Sequence, residues 1–233
     1  MTLLVVTAVQ QERDAVIRDL GPESLSFAPY DEWGGVVIET PAGDAHVVHG
    51  GVGPVAAAAI TATALSLWDY DLVLSAGLAG GFRGRAEVGD VVVASASIAA
   101  DLGCRTDEGV LSLKDMGLGQ DSGVAFGDAW RWQQRLADHA VPSVLGEVLT
   151  MSCMTGTDAE GDDLARRYPQ AVAEAMEGWG VVWPAYLHRD VKVGEIRAVS
   201  NIVGKRNVSG WDIDAAFDAL ARAFGALLSE PLP

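Results

Sequence analysis

The apolar positions of this chain fall in short runs separated by longer amphipathic stretches. Residues 3–9 form the first run and end against the polar Gln10-Gln11-Glu12-Arg13-Asp14. The run has one strand's length and no basic residue before it, so it is expected to be a buried first strand and not a secretory leader. A helix is expected over 12–20. Strands follow over 36–40 and 45–49, joined by the turn Pro41-Ala42-Gly43-Asp44. Gly50-Gly51-Val52-Gly53-Pro54 then opens an alanine-rich helix over 54–68, with the proline at the helix start, where its missing N–H costs little. A strand at 72–76 leads into Gly77-Leu78-Ala79-Gly80-Gly81, which the glycines mark as a turn.

Val88-Gly89-Asp90 turns into a strand at 91–96. Residues 101–143 mix polarities and show only a helical patch near 129–139, as an excursion from the core would. The sheet resumes at 146–150. Thr157 or Asp158 caps a helix reaching 168 and stopped by Pro169. A strand at 171–175, a helix at 178–187, a strand at 193–200 and an amphipathic helix at 212–228 complete the order. Strands that are apolar throughout need cover on both faces, and helices alternate with them. The expected fold class is therefore α/β, three layers α/β/α around a mixed, mainly parallel central sheet. No linker, repeat or low-complexity tract interrupts it, so one domain over 1–233 is expected.

Charge narrows the partners. The 32 acidic residues against 16 basic ones give a formal charge of -16. Such a field repels phosphate backbones and anionic lipid, so neither nucleic acid nor a membrane is an expected partner. Cys104 and Cys153 are too few for a disulfide framework and do not form a metal-type pair, which fits a reducing cytoplasm. His46 and His49, three apart on an expected strand, lie on opposite faces and cannot readily share an ion. No metal or cofactor is expected.

Ligands of open α/β sheets bind beyond the carboxyl ends of the strands. Polar residues stand there in Gln10-Gln11-Glu12, around the 77–81 segment, in Ala175-Met176-Glu177-Gly178 and in Arg197-Ala198-Val199-Ser200-Asn201. Singly, such carboxylates are as well explained as helix caps or dipole partners, and Arg197 with Glu177 as a buried ion pair. The glycines at 50–53 lack the full dinucleotide fingerprint.

In order and spacing, however, these segments resemble the purine nucleoside phosphorylase and nucleosidase superfamily. Val6-Thr7-Ala8-Val9-Gln10-Gln11-Glu12 is similar to the opening motif of methylthioadenosine nucleosidases. Gly51-Val52-Gly53-Pro54-Val55-Ala56-Ala57 and Ser75-Ala76-Gly77-Leu78-Ala79-Gly80-Gly81 resemble the superfamily's helix entry and central signature. Tyr168-Pro169-Gln170-Ala171-Val172-Ala173-Glu174-Ala175-Met176-Glu177 resembles its ribose-binding segment. Thr155-Gly156-Thr157, Met176-Glu177-Gly178-Trp179-Gly180 and the run from Arg197 to Asn207 are similar to the futalosine hydrolases within it.

The resemblance implies a nucleoside phosphorylase-like fold, a homodimer or higher homo-oligomer, and cleavage of a purine nucleoside by water. Futalosine is the implied substrate, yielding hypoxanthine and dehypoxanthine futalosine on a route to menaquinone. It implies that Glu12 orients and deprotonates the water, with Arg197 orienting Glu12. Glu177 takes the 2′- and 3′-hydroxyls with Met176 against the sugar, Ser200 and Asn201 serve the base, and Ala175, Met154 and Thr155 also bind the substrate. Trp211 either walls the 5′ pocket or packs in the core. Leu78 stands where the phosphorylases supply a serine, which disfavours phosphate as acceptor. Asn201 stands where methylthioadenosine nucleosidases carry an aspartate. Its amide offers a donor to O6 and an acceptor for an N7 proton, which suits a 6-oxopurine. The rival readings are a nucleosidase or phosphorylase for methylthioadenosine, S-adenosylhomocysteine, aminofutalosine or inosine, and a nucleoside-binding protein without turnover.

Overall fold

The computed structural model describes residues 1–20, 34–107, 109–124, 127–188 and 191–232. The first half of the chain forms β1 (Thr2–Thr7), α1 (Gln10–Arg18), β2 (Val36–Thr40), β3 (Gly43–His49), α2 (Pro54–Leu67), β4 (Leu72–Gly81) and β5 (Val91–Ala99). Three short strands follow: β6 (Gly103–Thr106), β7 (Gly109–Ser112) and β8 (Ser122–Val124). Then come α3 (Ala129–Asp138), β9 (Ser143–Thr150), α4 (Asp158–Arg167), β10 (Ala171–Ala175) and α5 (Gly178–Leu187). The chain closes with β11 (Lys192–Ile202), a 3-10 turn (Val208–Gly210) and α6 (Ile213–Leu227).

The unbroken apolar run of β1 is explained by burial on both sides. Leu3 and Val5 join a cluster with Val16 of α1, Trp132 of α3 and Leu220 and Phe224 of α6. Leu4 and Val6 point the other way, onto Ala57, Ile60 and Ala64 of α2 and Val181 and Ala185 of α5. Each fully buried Leu or Val contributes about 1.5–3 kcal/mol, so this double-sided strand anchors the three layers. Gly180 lets α5 settle on α2: a Cβ there would come 2.2 Å from the Pro54 carbonyl oxygen.

Among the described residues, the central sheet runs β10-β9-β5-β11-β4-β1-β3-β2, with β8 added on β5. β4 pairs with β1 and β11 in parallel, and β9 lies parallel to β5 and β10. β11–β5, β2–β3, β5–β8 and β10–β4 are antiparallel. Because β10 pairs with both β9 and β4, the strands β4, β11, β5, β9 and β10 close on one another at one end of the sheet.

The closure overturns one expectation. Residues 77–81 are no turn but the far end of β4, with Gly80 and Gly81 pairing to Glu174 and Ala173. The glycines serve close approach. A Cβ on Gly81 would lie 2.6 Å from the Ala86 carbonyl oxygen and 2.9 Å from Val199. Other differences are smaller. α1 starts at Gln10, before the expected residue 12, and the 101–143 stretch holds β6, β7 and β8, strands the mixed polarity hid. Residues 108, 125 and 126 of that stretch lie outside the described residues. Among the described residues, no helix is long and apolar enough to cross a membrane.

Candidate active site

The carboxyl ends of β1, β4, β10 and β11 border one cleft of about 230 Å³. It is lined by Glu12, Leu78, Met154, Thr155, Ala175, Met176, Glu177, Ser200, Asn201 and Trp211, all expected in the site from sequence. Arg197 is the exception: it is fully buried beneath the cleft and not on its wall.

Glu12 owes its pose to the first turn of α1. Its Oε2 accepts from the N–H groups of Ala8 at 2.9 Å and Val9 at 3.3 Å, so the side chain caps its own helix. Its Oε1 accepts from the Leu78 N–H at 2.8 Å. The capping and functional readings of this residue are thus compatible. Gly77 makes room: a Cβ there would come 2.5 Å from Glu12 Oε1 and 2.8 Å from Arg197 Nη1. Burial pushes the Glu12 carboxyl above its ordinary range, and the Glu177 charge adds to this. The Leu78 N–H, the Arg197 charge and the Ala8 N–H pull it back.

Arg197 acts on Glu12 by charge, while its hydrogen bonds go elsewhere. Its Nη1 donates to Glu177 Oε2 at 3.2 Å, its Nε to Glu195 Oε1 at 2.9 Å and its Nη2 to Ser75 Oγ at 2.8 Å. The reason is the register of β11. Glu195 and Arg197 are two apart and share a face of the strand, which sets the guanidinium beside Glu195, while its Nη1 still lies near Glu12 Oε1. Burial works against the Arg197 charge, but Glu195, Glu177 and Glu12 together hold its pKa above the ordinary value. Glu195, itself fully buried, has its carboxyl pushed up by burial against the pull of Arg197. Glu177 Oε1 accepts from the Gly53 N–H at 3.1 Å, tying this carboxylate to the glycine-rich entry of α2.

A register shift in β11 between Val199 and Asn201 puts two consecutive polar side chains on the cleft. Such a bulge re-aims a side chain that regular alternation would send to the other face. The Ser200 hydroxyl donates to Asn201 Oδ1 at 2.9 Å, and Asn201 Nδ2 donates to the Ile202 carbonyl at 3.3 Å. A carbonyl only accepts, so this contact fixes which end of the amide is NH₂. One proton of Nδ2 and one lone pair of Oδ1 remain for a ligand. Trp211 lines the cleft half-buried, with the Arg206 guanidinium 5.7 Å above its ring.

Two buried carboxylates went unnoticed in the sequence, Glu174 and Glu195. Glu174 is the one acid in an otherwise apolar strand, and Glu195 stands two before Arg197 on the same strand face; both patterns mark a buried partner or a ligand contact. Glu174 lines the cleft, and burial raises its pKa while the Thr155 hydroxyl and N–H lower it. Among the described residues that line the cleft there is no Lys, Arg or His. Arg85, four residues beyond the end of β4, donates to the carbonyls of Ala165, Tyr168 and Ala171.

The pattern of the phosphorylase superfamily matches residues 2–232. The chain belongs to this superfamily. Within it, the futalosine hydrolase of Streptomyces coelicolor is 43% identical over 97% of this chain and 95% of its own length. The futalosine hydrolase of Acidothermus cellulolyticus is 41% identical over 96% of this chain and 89% of its own length. The superfamily fold is also clear from a Neisseria meningitidis 5′-methylthioadenosine/S-adenosylhomocysteine nucleosidase solved with methylthio-immucillin-A. That structure superposes with a TM-score of 0.83 at 18% identity, covering 98% of both chains.

Proposed function

We propose that this phosphorylase-superfamily enzyme hydrolyses the N-glycosidic bond of futalosine, releasing hypoxanthine and dehypoxanthine futalosine on the route to menaquinone. The observation that carries this reading is Glu12, held by backbone N–H groups in a cleft whose described lining carries carboxylates and no cation. Such a wall is poor ground for phosphate, which needs charged or multiple donors, and good ground for water and a developing ribosyl cation. The likeness to two futalosine hydrolases over nearly the whole chain supports the choice of substrate.

In this reading the glycosidic bond breaks toward an oxocarbenium-like sugar, which needs little push from the nucleophile. Glu12 orients the water and takes its proton. Glu177, held by Arg197 and the Gly53 N–H, accepts the ribose hydroxyls with Met176 and Ala175 against the ring. Arg197 acts through Glu177 and is a positioning residue. Asn201 and Ser200 serve the leaving base, Met154 and Thr155 border it, Leu78 brings its N–H to Glu12, and Trp211 walls the 5′ side. A positioned base such as Glu12 supplies about 10²–10⁴-fold.

The chain is proposed to work as one domain over 1–233, in keeping with the superfamily match, and in the cytoplasm, where exposed Cys104 and Cys153 stay reduced. It is also proposed to be a homodimer or higher homo-oligomer. Val52 and Met154 on the cleft are 58% and 43% exposed, and nearby Val55 is 82% exposed, an apolar rim suited to a subunit contact. The deciding experiment incubates the protein with futalosine, inosine and methylthioadenosine, with and without phosphate. Free hypoxanthine and a free sugar from futalosine, at a rate indifferent to phosphate, is the expected result. A ribose 1-phosphate product overturns the reading.

A further inference from the structure

Glu174 is the carboxylate on the cleft for which the mechanism above has no task. It is 6% exposed and sits in a strand whose other residues are Ala and Val. Burying an acid in such a place is costly unless it meets donors. Thr155 supplies two, its N–H to Glu174 Oε1 at 2.7 Å and its hydroxyl to Oε2. A carboxylate has about four acceptor positions, so these bonds aim the group and leave capacity on the cleft.

The sheet register gives that capacity a direction. Glu174 pairs with Gly80 on one side of β4, and Asn201 pairs with the same Gly80 on the other. Cross-strand partners project from the same face, so Glu174 and Asn201 flank one glycine. Their backbones stand about 10 Å apart, two interstrand spacings. A Cβ on Gly80 would come 3.2 Å from Asn201 Nδ2, so the absent side chain is what keeps the floor between them clear. Val203, near that floor, and Met154 add apolar walls for a flat ring.

We propose that Glu174 accepts the N1–H of a 6-oxopurine seated over Gly80, so that Glu174 and Asn201 set base choice from opposite sides. The inference rests on the nucleosidase reading above and extends it to a residue that reading leaves idle. In a 6-oxopurine N1 carries a proton and O6 accepts. A carboxylate meets the first, and the free proton of Asn201 Nδ2 meets the second. In a 6-aminopurine N1 bears a lone pair and position 6 donates, so the carboxylate faces like charge density and Nδ2 faces a donor. A site built around a donor–acceptor pair rejects the base that leaves its groups unpaired.

The test compares kcat/KM for futalosine and aminofutalosine in wild type and Glu174→Gln. A glutamine fills the same space, and its NH₂ can donate to the N1 of an aminopurine. The expected result is a fall of about 10- to 100-fold in the 6-oxo over 6-amino ratio, the worth of a hydrogen bond to a charged group, with aminofutalosine largely spared. Equal losses on both substrates overturn the proposal, since they would mean that Glu174 only holds the Thr155 loop. A second measurement needs no variant: calorimetric binding of free hypoxanthine and 1-methylhypoxanthine to wild type. About tenfold or greater weakening by the methyl group is expected, and equal affinities overturn the proposal. Discrimination between the bases without cleavage of either nucleoside would sink the hydrolase reading alone. Cleavage without discrimination would sink this one.

Discussion

Arg197 grips Glu177 at 3.2 Å while Glu12 hangs from the backbone N–H groups of Ala8, Val9 and Leu78. Glu12 and Glu177 are therefore held by different hydrogen-bonding devices, although the Arg197 charge reaches both. One depends on a buried guanidinium shared with Glu195, the other on the geometry of a helix start. Substitutions should separate them.

Glu12→Gln should remove proton acceptance from water and keep the amide–backbone contact at Leu78. The expected outcome is a drop in kcat of about 10²–10⁴-fold with nucleoside binding nearly intact. Glu177→Gln should instead weaken the ribose hydroxyl contacts, raising KM as well as lowering kcat. Steady-state kinetics on futalosine, with binding of an uncleavable analogue, distinguishes the two. Near-normal kcat/KM in either variant would mean that the site is elsewhere.

Arg197→Met leaves Glu195 and Glu177 buried without their cation. Breaking a buried pair from one side costs about 3–5 kcal/mol, and that loss should appear in urea unfolding. Adding Glu195→Gln to the same chain should recover part of it, because the fully buried Glu195 then has no charge to leave uncompensated. A single variant within 1 kcal/mol of wild type, by that same measure of buried pairs, would show that the network is not coupled as its geometry indicates.

These assignments also show where sequence reasoning succeeded. Helix α5 and strands β2 and β10 lie where periodicity expected them, because their ends carry unambiguous signals: the 41–44 turn, Pro169 and the Gly178 entry. The cleft residues were legible because they cluster at strand ends. What was hidden depended on pairing between distant segments. The 77–81 glycines look like a turn until β10 is known to pair with them. Glu174 gains its meaning only from sharing Gly80 with Asn201. The pairing of Arg197 with Glu195 was a signal the i, i+2 spacing did offer.

The raised pKa of Glu12 has two consequences of opposite sense. With Glu12 as the proposed base, activity requires its carboxylate form, so kcat/KM should climb with pH through an acid limb lying above the ordinary 4.5. Stability runs the other way. A folded pKa above the unfolded one means the folded state holds the proton more tightly. The contribution is fully present below about 4.5 and is lost as pH rises through the raised value. Glu12→Gln cannot titrate, so the stability of wild type relative to this variant should fall as pH rises across that window. Denaturant unfolding of both proteins from pH 4 to 8 reads this difference. A flat difference, or one that grows with pH, contradicts the burial argument.

Asn201 gives the sharpest handle on the leaving base. Its Nδ2 points at the Ile202 carbonyl and its Oδ1 receives the Ser200 hydroxyl, so the amide is held against flipping. It therefore presents a donor for O6 and an acceptor for an N7 proton, as a departing hypoxanthine needs. Asn201→Asp keeps the size and the Ser200 contact, but replaces the amide donor with an acid. When protonated, that acid can deliver a proton to N7 of an aminopurine. When ionised, it faces O6 with like charge. The expected outcome is a shift of preference from futalosine toward aminofutalosine, strongest at the acid end of the profile, where the new carboxyl keeps its proton. The size should fall below the roughly 10⁴-fold of sites in which every polar group is matched to its ligand, since Glu174 still opposes the aminopurine from across Gly80. The Asn201→Asp, Glu174→Gln double variant should therefore go further than either alone. Measuring kcat/KM for both nucleosides at several pH values in the four proteins decides it. An unchanged ratio in Asn201→Asp would show that this amide does not touch the base.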